Sequence, residues 1–239
     1  MRQIIAIGGG GFGRIIKDLK IEKYIKSQSL KPNPKICFIP TATGDDQSYI
    51  DNFYKAFDSL ECITSHIDFF KRTIDLKPHI LEQDIIYVGG GNTKSMLAVW
   101  REWGLDEILK EAYKKNIIMS GVSAGAICWF EKGITDSWKD YQATIDCLGF
   151  VNGICCPHYD EEPERIPYVK KIQLQGVPAS STKLRASLIN QVTLSGSEFS
   201  RSVGLLYQAK QNQVAELNHL VSQSQAELSS QLLIGQDLL

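Results

Sequence analysis

Net charge and long apolar runs are two features that this sequence lacks, and each shortage argues against a class of protein. The 26 basic and 27 acidic side chains leave a net charge of −1, which argues against a nucleic-acid-binding surface. No stretch approaches the roughly 18 consecutive apolar residues of a membrane-spanning helix. The N-terminal residues lack the length and the small-residue cleavage site of a signal peptide. We therefore expect a cytoplasmic protein that binds neither nucleic acid nor membrane.

Paired cysteines and metal-binding motifs are also missing. None of the six cysteines forms a Cys-x-x-Cys pair, and several lie in apolar stretches. Such residues are typical of buried free thiols in a reducing compartment, and we favour that interpretation over disulfides or metal ligands. The sequence contains no His-Glu-x-x-His motif, so it gives no indication of a metal site. The cysteines are Cys37, Cys62, Cys128, Cys147, Cys155 and Cys156.

What the sequence does contain is an alternation of strand and helix patterns. Its 239 residues are 43% hydrophobic, which suits one large domain or a domain with an appendage. The alternation predicts an α/β fold with a mostly parallel sheet that is covered on both faces. Strands are predicted at 3–8, 35–40, 62–69, 84–88, 117–119 and within 147–156, and helices at 14–26, 48–60, 94–103 and 105–115.

The segment after the strand at 117–119 has the pattern of a nucleophile elbow. Its sequence is Gly121-Val122-Ser123-Ala124-Gly125, followed by helix-compatible residues. Small residues allow a sharp strand-to-helix turn that exposes the serine hydroxyl. The start of the helix offers free N–H groups to a developing oxyanion. The pentapeptide alone leaves a non-catalytic turn of small residues equally open.

Two glycine-rich segments follow other predicted strands. Residues 8–13 (GGGGFG) fit Gly-x-Gly-x-x-Gly, but the next strand ends in Thr41-Ala42-Thr43 without an acidic residue to hold a ribose. We therefore disfavour NAD and favour a turn that lets the backbone approach a neighbouring loop or a substrate. The second segment, Gly89-Gly90-Gly91-Asn92-Thr93, would present backbone N–H groups at a strand end, where open α/β sheets bind their ligands.

A histidine and an aspartate complete the set of candidate catalytic residues. His158 follows the last predicted strand and Pro157, and Asp136 lies in a segment at 133–140 that we predict to be a polar loop. A lone histidine is more often structural. Beside a nucleophile elbow the balance reverses, because a serine needs a base to remove its proton.

Four segments together resemble the S51 serine peptidases, the group of peptidase E and cyanophycinase-like proteins. They are GGGNT, GVSAGAICWF, TDS and CPHYDEEPER, in this order, and the resemblance covers about residues 1–172. It implies a three-layer, flavodoxin-like fold related to class I glutamine amidotransferases, with serine in place of the amidotransferase cysteine. It implies no metal and no cofactor.

The resemblance also assigns catalytic roles. Ser123 would be the nucleophile and His158 the general base of a Ser-His-Asp mechanism that proceeds through an acyl-enzyme. Asp136 is the candidate for the third member. Asp160 is the alternative, although it is only two residues from the histidine that it would orient.

Further residues would bind the substrate. The backbone N–H groups of Gly91 and Ala124 would form the oxyanion hole, and Asn92 would lie beside the substrate. In peptidase E, which cleaves after an N-terminal aspartate, a basic residue downstream of the histidine recognises the acidic side chain. Arg165 is the matching residue here, and an arginine that merely pairs with Glu161, Glu162 or Glu164 is an equal alternative. We expect a small peptide as substrate, with Asp-X dipeptides as one candidate.

Residues 173–239 depart from the family and form a second predicted segment that is largely helical. A helix from about 205 to 233 with a sparse heptad-like stripe would dock on the domain or pair two copies as a homodimer. Alternatively, the C-terminal strands of the family have been lost, and the chain is a catalytically silent binding or assembly module. An amidotransferase-like domain that channels ammonia is disfavoured, because the nucleophile is serine and the chain contains no synthase domain.

Overall fold

The computed structural model describes residues 2–13, 19–139, 141–159 and 161–174. The strands are β1 (Ile4–Ile7), β2 (Lys35–Ile39), β3 (Ile63–His66), β4 (Ile85–Val88), β5 (Ile118–Val122), β6 (Phe130–Trp138), β7 (Tyr141–Asp146) and β8 (Val151–Cys155). The helices are α1 (Lys20–Ser27), α2 (Gln47–Asp58), α3 (Leu76–Leu81), α4 (Thr93–Glu102), α5 (Leu105–Lys114), α6 (Ala124–Ile127) and α7 (Arg165–Leu174), with a 3₁₀ turn at Thr41–Thr43.

The central sheet is parallel throughout, as the alternating pattern predicts. Its strand order is β1-β5-β4-β2-β3. Because the strands are parallel, their carboxyl ends meet at one edge of the sheet. Gly8 after β1, Thr41 after β2, Gly89 after β4 and Ser123 after β5 therefore lie along the same edge. The topology alone brings the glycine-rich segments and the candidate nucleophile together.

Helices cover both faces of this sheet, which confirms the expected α/β layering. On β2, Cys37 belongs to one core cluster with Trp100 of α4 and Leu109 of α5. The next residue, Phe38, points to the opposite face and stacks on Phe53 of α2, with ring centroids 4.8 Å apart. Alternation along a strand thus buries one side chain in each layer, which explains why the parallel strands are apolar on both faces.

A second, three-stranded sheet differs from the sequence-based expectation. Its order is β7-β6-β8, with β6 antiparallel to β7 and parallel to β8. Residues 133–138, predicted as a polar loop, belong to β6, and β7 was not predicted. The elbow helix α6 is also short, ending at Ile127. Pairing on both edges of β6 overrides the weak strand propensity of its glycine and aspartate.

Some other expectations differ or lie outside the description. Helices α3 and α7 were not predicted, and α1 begins at Lys20, whereas residues 14–18 of the predicted 14–26 helix are outside the described residues. The predicted tail helix at 205–233 and Asp160 are outside them as well. Within the described residues, no helix is both long and apolar enough to cross a bilayer.

The elbow depends on close backbone packing between β4, β5 and α6. A Cβ atom on Gly125 would overlap the backbone carbonyl of Val88, and one on Gly121 would overlap the carbonyl of Gly125 and lie 2.8 Å from Val88 O. No L side chain fits at either position unless a strand moves. The glycines of the GxSxG motif are therefore required because α6 crosses directly against the sheet.

We expect Gly125→Ala to lower the free energy of unfolding by about 3 kcal/mol, because the added methyl group meets rigid backbone. Gly104→Ala is the matched control. Gly104 has φ +66° but open space around its Cβ position, so only the backbone term of about 1 kcal/mol applies. Urea unfolding measures both values. Equal losses for the two variants would contradict the packing argument.

Candidate active site

Ser123 occupies a strained turn between β5 and α6. Its backbone has φ 55° and ψ −110°, a conformation that costs a non-glycine residue on the order of 1–3 kcal/mol. Its N–H donates to the carbonyl of Ile7 at 2.9 Å, so the end of β1 holds the turn. The residue type matters because a hydroxyl at this position is directed away from the sheet edge and into solvent-accessible space.

His158 lies against Ser123. The distance between His158 Nε2 and Ser123 Oγ is 2.9 Å, which is a hydrogen bond. His158 also has a positive φ of 54°, and its N–H donates to Gly8 O at 3.3 Å. A Cβ atom on Gly9 would lie 2.9 Å from His158 Nδ1, so the first glycine-rich segment provides space for the imidazole. The sequence analysis favoured a turn that brings the backbone close to a neighbouring loop over an NAD site, and the contact of Gly9 with His158 is such an approach.

Glu161 is the carboxylate that the structure places beside the histidine. Its Oε2 lies 3.4 Å from His158 Nδ1. The carbonyl of His158 accepts the N–H groups of Glu161 and Glu162, which forms a tight turn and returns the glutamate to the ring. A carboxylate can only accept, so Nδ1 carries the proton and Nε2 is free to accept the hydrogen bond of Ser123 Oγ–H. Sequence reasoning missed Glu161, although its position three residues after the histidine in an acidic run was visible.

Asp136 and Arg165 pair with each other, so Asp136 does not make the expected contact with His158, and Arg165 follows the alternative in which it pairs with Glu162. Asp136 Oδ2 lies 3.3 Å from Arg165 Nη2, and Arg165 Nε donates to Glu162 Oε2 at 2.5 Å. The arginine is only 1% exposed, and burial alone would favour its neutral form. The pKa of Arg165 is nevertheless raised, because the hydrogen bond and the charge of Glu162 outweigh that burial. Among the described residues, the hydrogen-bond partners of the His158 ring are Ser123 and Glu161.

The second glycine-rich segment lies over the nucleophile. A Cβ atom on Gly90 would lie 3.2 Å from Ser123 Cβ, and Gly91 has φ +136° with its Cα packed against the carbonyl of Ala42. Among the described residues, the N–H groups of Gly91 and Ala124 have no hydrogen-bond acceptor. Both groups therefore remain available for an oxyanion beside Ser123.

Asn92 holds this loop and does not line the pocket. Its Oδ1 accepts the N–H of Ser95 at 2.9 Å, which caps α4, and its Nδ2 donates to Ser137 O at 3.1 Å. Ser137 Oγ in turn accepts the N–H of Lys94. Asn92 thus links the glycine loop to β6, and it is not among the described residues that line the pocket.

A pocket of about 350 Å³ opens at Ser123 and His158. This volume is at the lower end of the range of about 300–1,000 Å³ for small-molecule sites. The N-terminal part of α2 forms the opposite wall. The lining residues are Gly10, Gly13, Thr43, Asp46, Ser48, Tyr49, Asn52, Gly90, Gly91, Val122, Ser123 and His158.

The cysteines do not compete with Ser123 as nucleophiles. All six are free thiols. Burial raises the pKa of Cys37 and Cys147 to about 12 and that of Cys156 to about 11, so these thiols stay protonated at neutral pH. Within the described part of the chain, no three His, Cys, Asp or Glu side chains are grouped as a metal site.

These features together define a class of protein. A serine on a strained strand-to-helix turn, a histidine in hydrogen-bond contact with it and free backbone N–H groups beside it are the arrangement of nucleophilic hydrolases. The parallel α/β sheet that carries them places the site at the carboxyl ends of the strands, as in other open sheets.

The particular family follows from comparison with known proteins. Residues 4–177 match the sequence model of peptidase family S51, and the chain belongs to this family. It is 52% identical over 168 residues to the uncharacterized peptidase YgaJ of Bacillus subtilis (strain 168), covering 70% of this chain and 73% of YgaJ. It is 27% identical over 137 residues to the uncharacterized peptidase Lmo0363 of Listeria monocytogenes, covering 54% and 67%.

Solved structures show the same fold. A peptidase from an acI-B1 Actinobacterium aligns with TM-score 0.53 and 18% identity, covering 73% of this chain and 75% of that one. A peptidase E-type protein from Listeria monocytogenes EGD-e aligns with TM-score 0.52 and 21% identity, covering 71% and 84%. At this identity the likeness establishes the fold alone.

We expect Arg165→Met to lower the free energy of unfolding by about 2 kcal/mol, because the carboxylates of Asp136 and Glu162 lose their charged partner but remain partly exposed to water. Arg101→Met is the matched control. Arg101 is exposed and donates to the carbonyl of Asp146, so its loss costs no more than about 0.5 kcal/mol. A raised KM for Asp-X peptides with unchanged unfolding would instead restore a substrate-binding role for Arg165.

Proposed function

We propose that this protein is a serine peptidase that hydrolyses small peptides through an acyl-enzyme. The observation that carries the proposal is the 2.9 Å contact between Ser123 Oγ and His158 Nε2 on a strained elbow. Membership of peptidase family S51 supports hydrolysis of a peptide bond. The small pocket volume supports a short substrate.

The proposed first half-reaction forms the acyl-enzyme. His158 Nε2 takes the proton of Ser123 Oγ as the oxygen attacks the scissile carbonyl carbon. The carbonyl oxygen becomes negatively charged and accepts hydrogen bonds from the N–H groups of Gly91 and Ala124. The loss of one such donor costs roughly 10²–10³-fold in rate in other enzymes. The imidazolium then gives its proton to the leaving amine.

The second half-reaction releases the acyl group. His158 takes a proton from water, whose oxygen attacks the ester carbon and displaces Ser123 Oγ, and the proton returns to the serine. Glu161 accepts a hydrogen bond from the Nδ1–H of His158 throughout, so it fixes the tautomer and stabilises the imidazolium. The side chain of Glu161 is 38% exposed, so its contribution is smaller than that of a buried triad aspartate.

Specificity for Asp-X dipeptides has less support than peptide hydrolysis itself. Arg165, the expected partner of that side chain, is buried and paired with Asp136 and Glu162. Among the described residues that line the pocket, none is lysine or arginine. The cytoplasmic location and the homodimer stay predictions.

We expect purified protein to be labelled by a fluorophosphonate and to hydrolyse peptides from a dipeptide-amide panel. Ser123→Ala would abolish labelling and turnover, and His158→Ala would lower kcat by at least about 10³-fold because the general base is lost. A folded protein that shows neither labelling nor turnover would contradict the proposal and favour a catalytically silent module.

We expect Glu161→Gln to lower kcat by about 10²-fold with little change in KM, because the amide holds the imidazole less well as it becomes charged. A buried triad aspartate contributes about 10⁴-fold. Glu164→Gln removes a nearby exposed carboxylate and is expected to leave kcat unchanged. If Glu161→Gln behaves like Glu164→Gln, another group orients His158.

A further inference from the structure

The pocket at Ser123 has an acidic wall. Asp46 lines it together with the neutral side chains of Thr43, Ser48 and Asn52. Asp46 is the carboxylic acid among the described lining residues, and such a group is ionised at neutral pH. Its position follows from local structure, because it is the N-cap of α2 and precedes the first helical residue.

One oxygen of this carboxylate, Oδ1, holds the start of the helix. Oδ1 accepts the Ser48 hydroxyl at 2.5 Å and the N–H of Tyr49 at 2.9 Å. The hydrogen bond from the Ser48 hydroxyl, followed by that from the Tyr49 N–H, lowers the pKa of Asp46. The structure therefore provides an exposed carboxylate that these hydrogen bonds fix in the wall of the pocket.

An anionic ligand does not fit this wall. The N-terminus of a helix attracts anions through its free N–H groups, but here Asp46 already accepts one of them. The positive end of the helix offsets only about half a charge. Glu161 beside His158 adds a second carboxylate near the nucleophile. Among the described residues, the charged side chain that lines the pocket thus favours a cation over an anion.

We propose that the pocket selects substrates that carry a positively charged nitrogen, which pairs with the Asp46 carboxylate while the scissile carbonyl lies at Ser123. The position of the scissile carbonyl at Ser123 rests on the proposed peptidase function, whereas the pairing of a cation with Asp46 does not. Two parts of a peptide supply the same chemistry, namely the free α-ammonium group and a lysine-type side chain. Both are donors that form charge-assisted hydrogen bonds with a carboxylate.

Binding to the Ser123→Ala protein tests the inference without turnover. The probes are lysyl-alaninamide and norleucyl-alaninamide, each with a free and an acetylated N-terminus, and acetyl-aspartyl-alaninamide. The blocked C-terminus removes the terminal carboxylate, so the aspartyl side chain carries the one negative charge in the set of probes. Isothermal titration gives Kd for each probe at low and at high salt.

We expect at least one cation to tighten Kd about tenfold relative to acetyl-norleucyl-alaninamide, as for a hydrogen bond between charged groups. The preference should shrink at high salt, because Asp46 is exposed and its field is screened. Acetylation removes the charge of the α-ammonium group, and norleucine removes that of the lysine side chain. The change that weakens binding therefore identifies the nitrogen that is bound.

Asp46→Asn, made in the Ser123→Ala protein, is the decisive variant, because asparagine caps a helix as well as aspartate does but carries no charge. We expect it to reduce the preference to within about twofold. Asp51→Asn is the matched control, since Asp51 lies on the same helix, bonds Gln47 and does not line the pocket. It should leave the preference intact.

Three outcomes would overturn the inference. They are equal Kd for charged and neutral probes, tighter binding of the aspartyl probe, and a preference that survives Asp46→Asn. Absence of binding by every probe to folded protein overturns it as well. A charge preference in binding without hydrolysis by the unsubstituted protein would retain the inference and remove the peptidase function, so the two failures are distinguishable.

Discussion

The rest of the site depends on how closely α6 approaches the sheet. Gly125 packs its Cα against the carbonyl of Val88, and Gly121 leaves room for the same crossing. This contact forces the chain to turn within a single residue between β5 and α6, and Ser123 is that residue. A wider crossing would relax the turn that fixes the backbone conformation of Ser123. The geometry of the nucleophile is therefore set by backbone packing and not by contacts of the catalytic side chains.

The two residues that would do the chemistry are both held in an unusual backbone conformation. Ser123 and His158 both have positive φ, and both donate their N–H to the end of β1, at Ile7 and Gly8. Residues in such conformations persist only where the surrounding structure fixes them, and here the fixed element is β1, which pairs with β5 in the parallel sheet. The stability of the sheet thus maintains the contact between nucleophile and base. The glycine-rich segment after β1 serves this purpose, because Gly9 leaves space for the imidazole.

Charge is distributed differently from what the family motifs imply. Asp136 was expected to orient the histidine and Arg165 to bind the substrate, but the two pair with each other, and Glu162 completes the group. This ion-pair group joins β6 to the turn that carries Glu161. One arginine buried among carboxylates thereby supports the histidine indirectly, and its burial leaves the described wall of the pocket with a carboxylate and no guanidinium.

The sequence by itself determined the parallel α/β sheet, the elbow at Ser123 and its pairing with His158. These features depend on local rules, namely alternation of apolar segments, small residues at a sharp turn, and strand ends that share one edge. Only the tertiary structure decided which carboxylate faces the histidine, where the arginine lies and which charge lines the pocket. Those outcomes depend on residues 133–138 pairing as β6 and on the tight turn after His158. Long-range pairing overrides local propensity there, so a polar segment that suggested a loop became a strand with different neighbours.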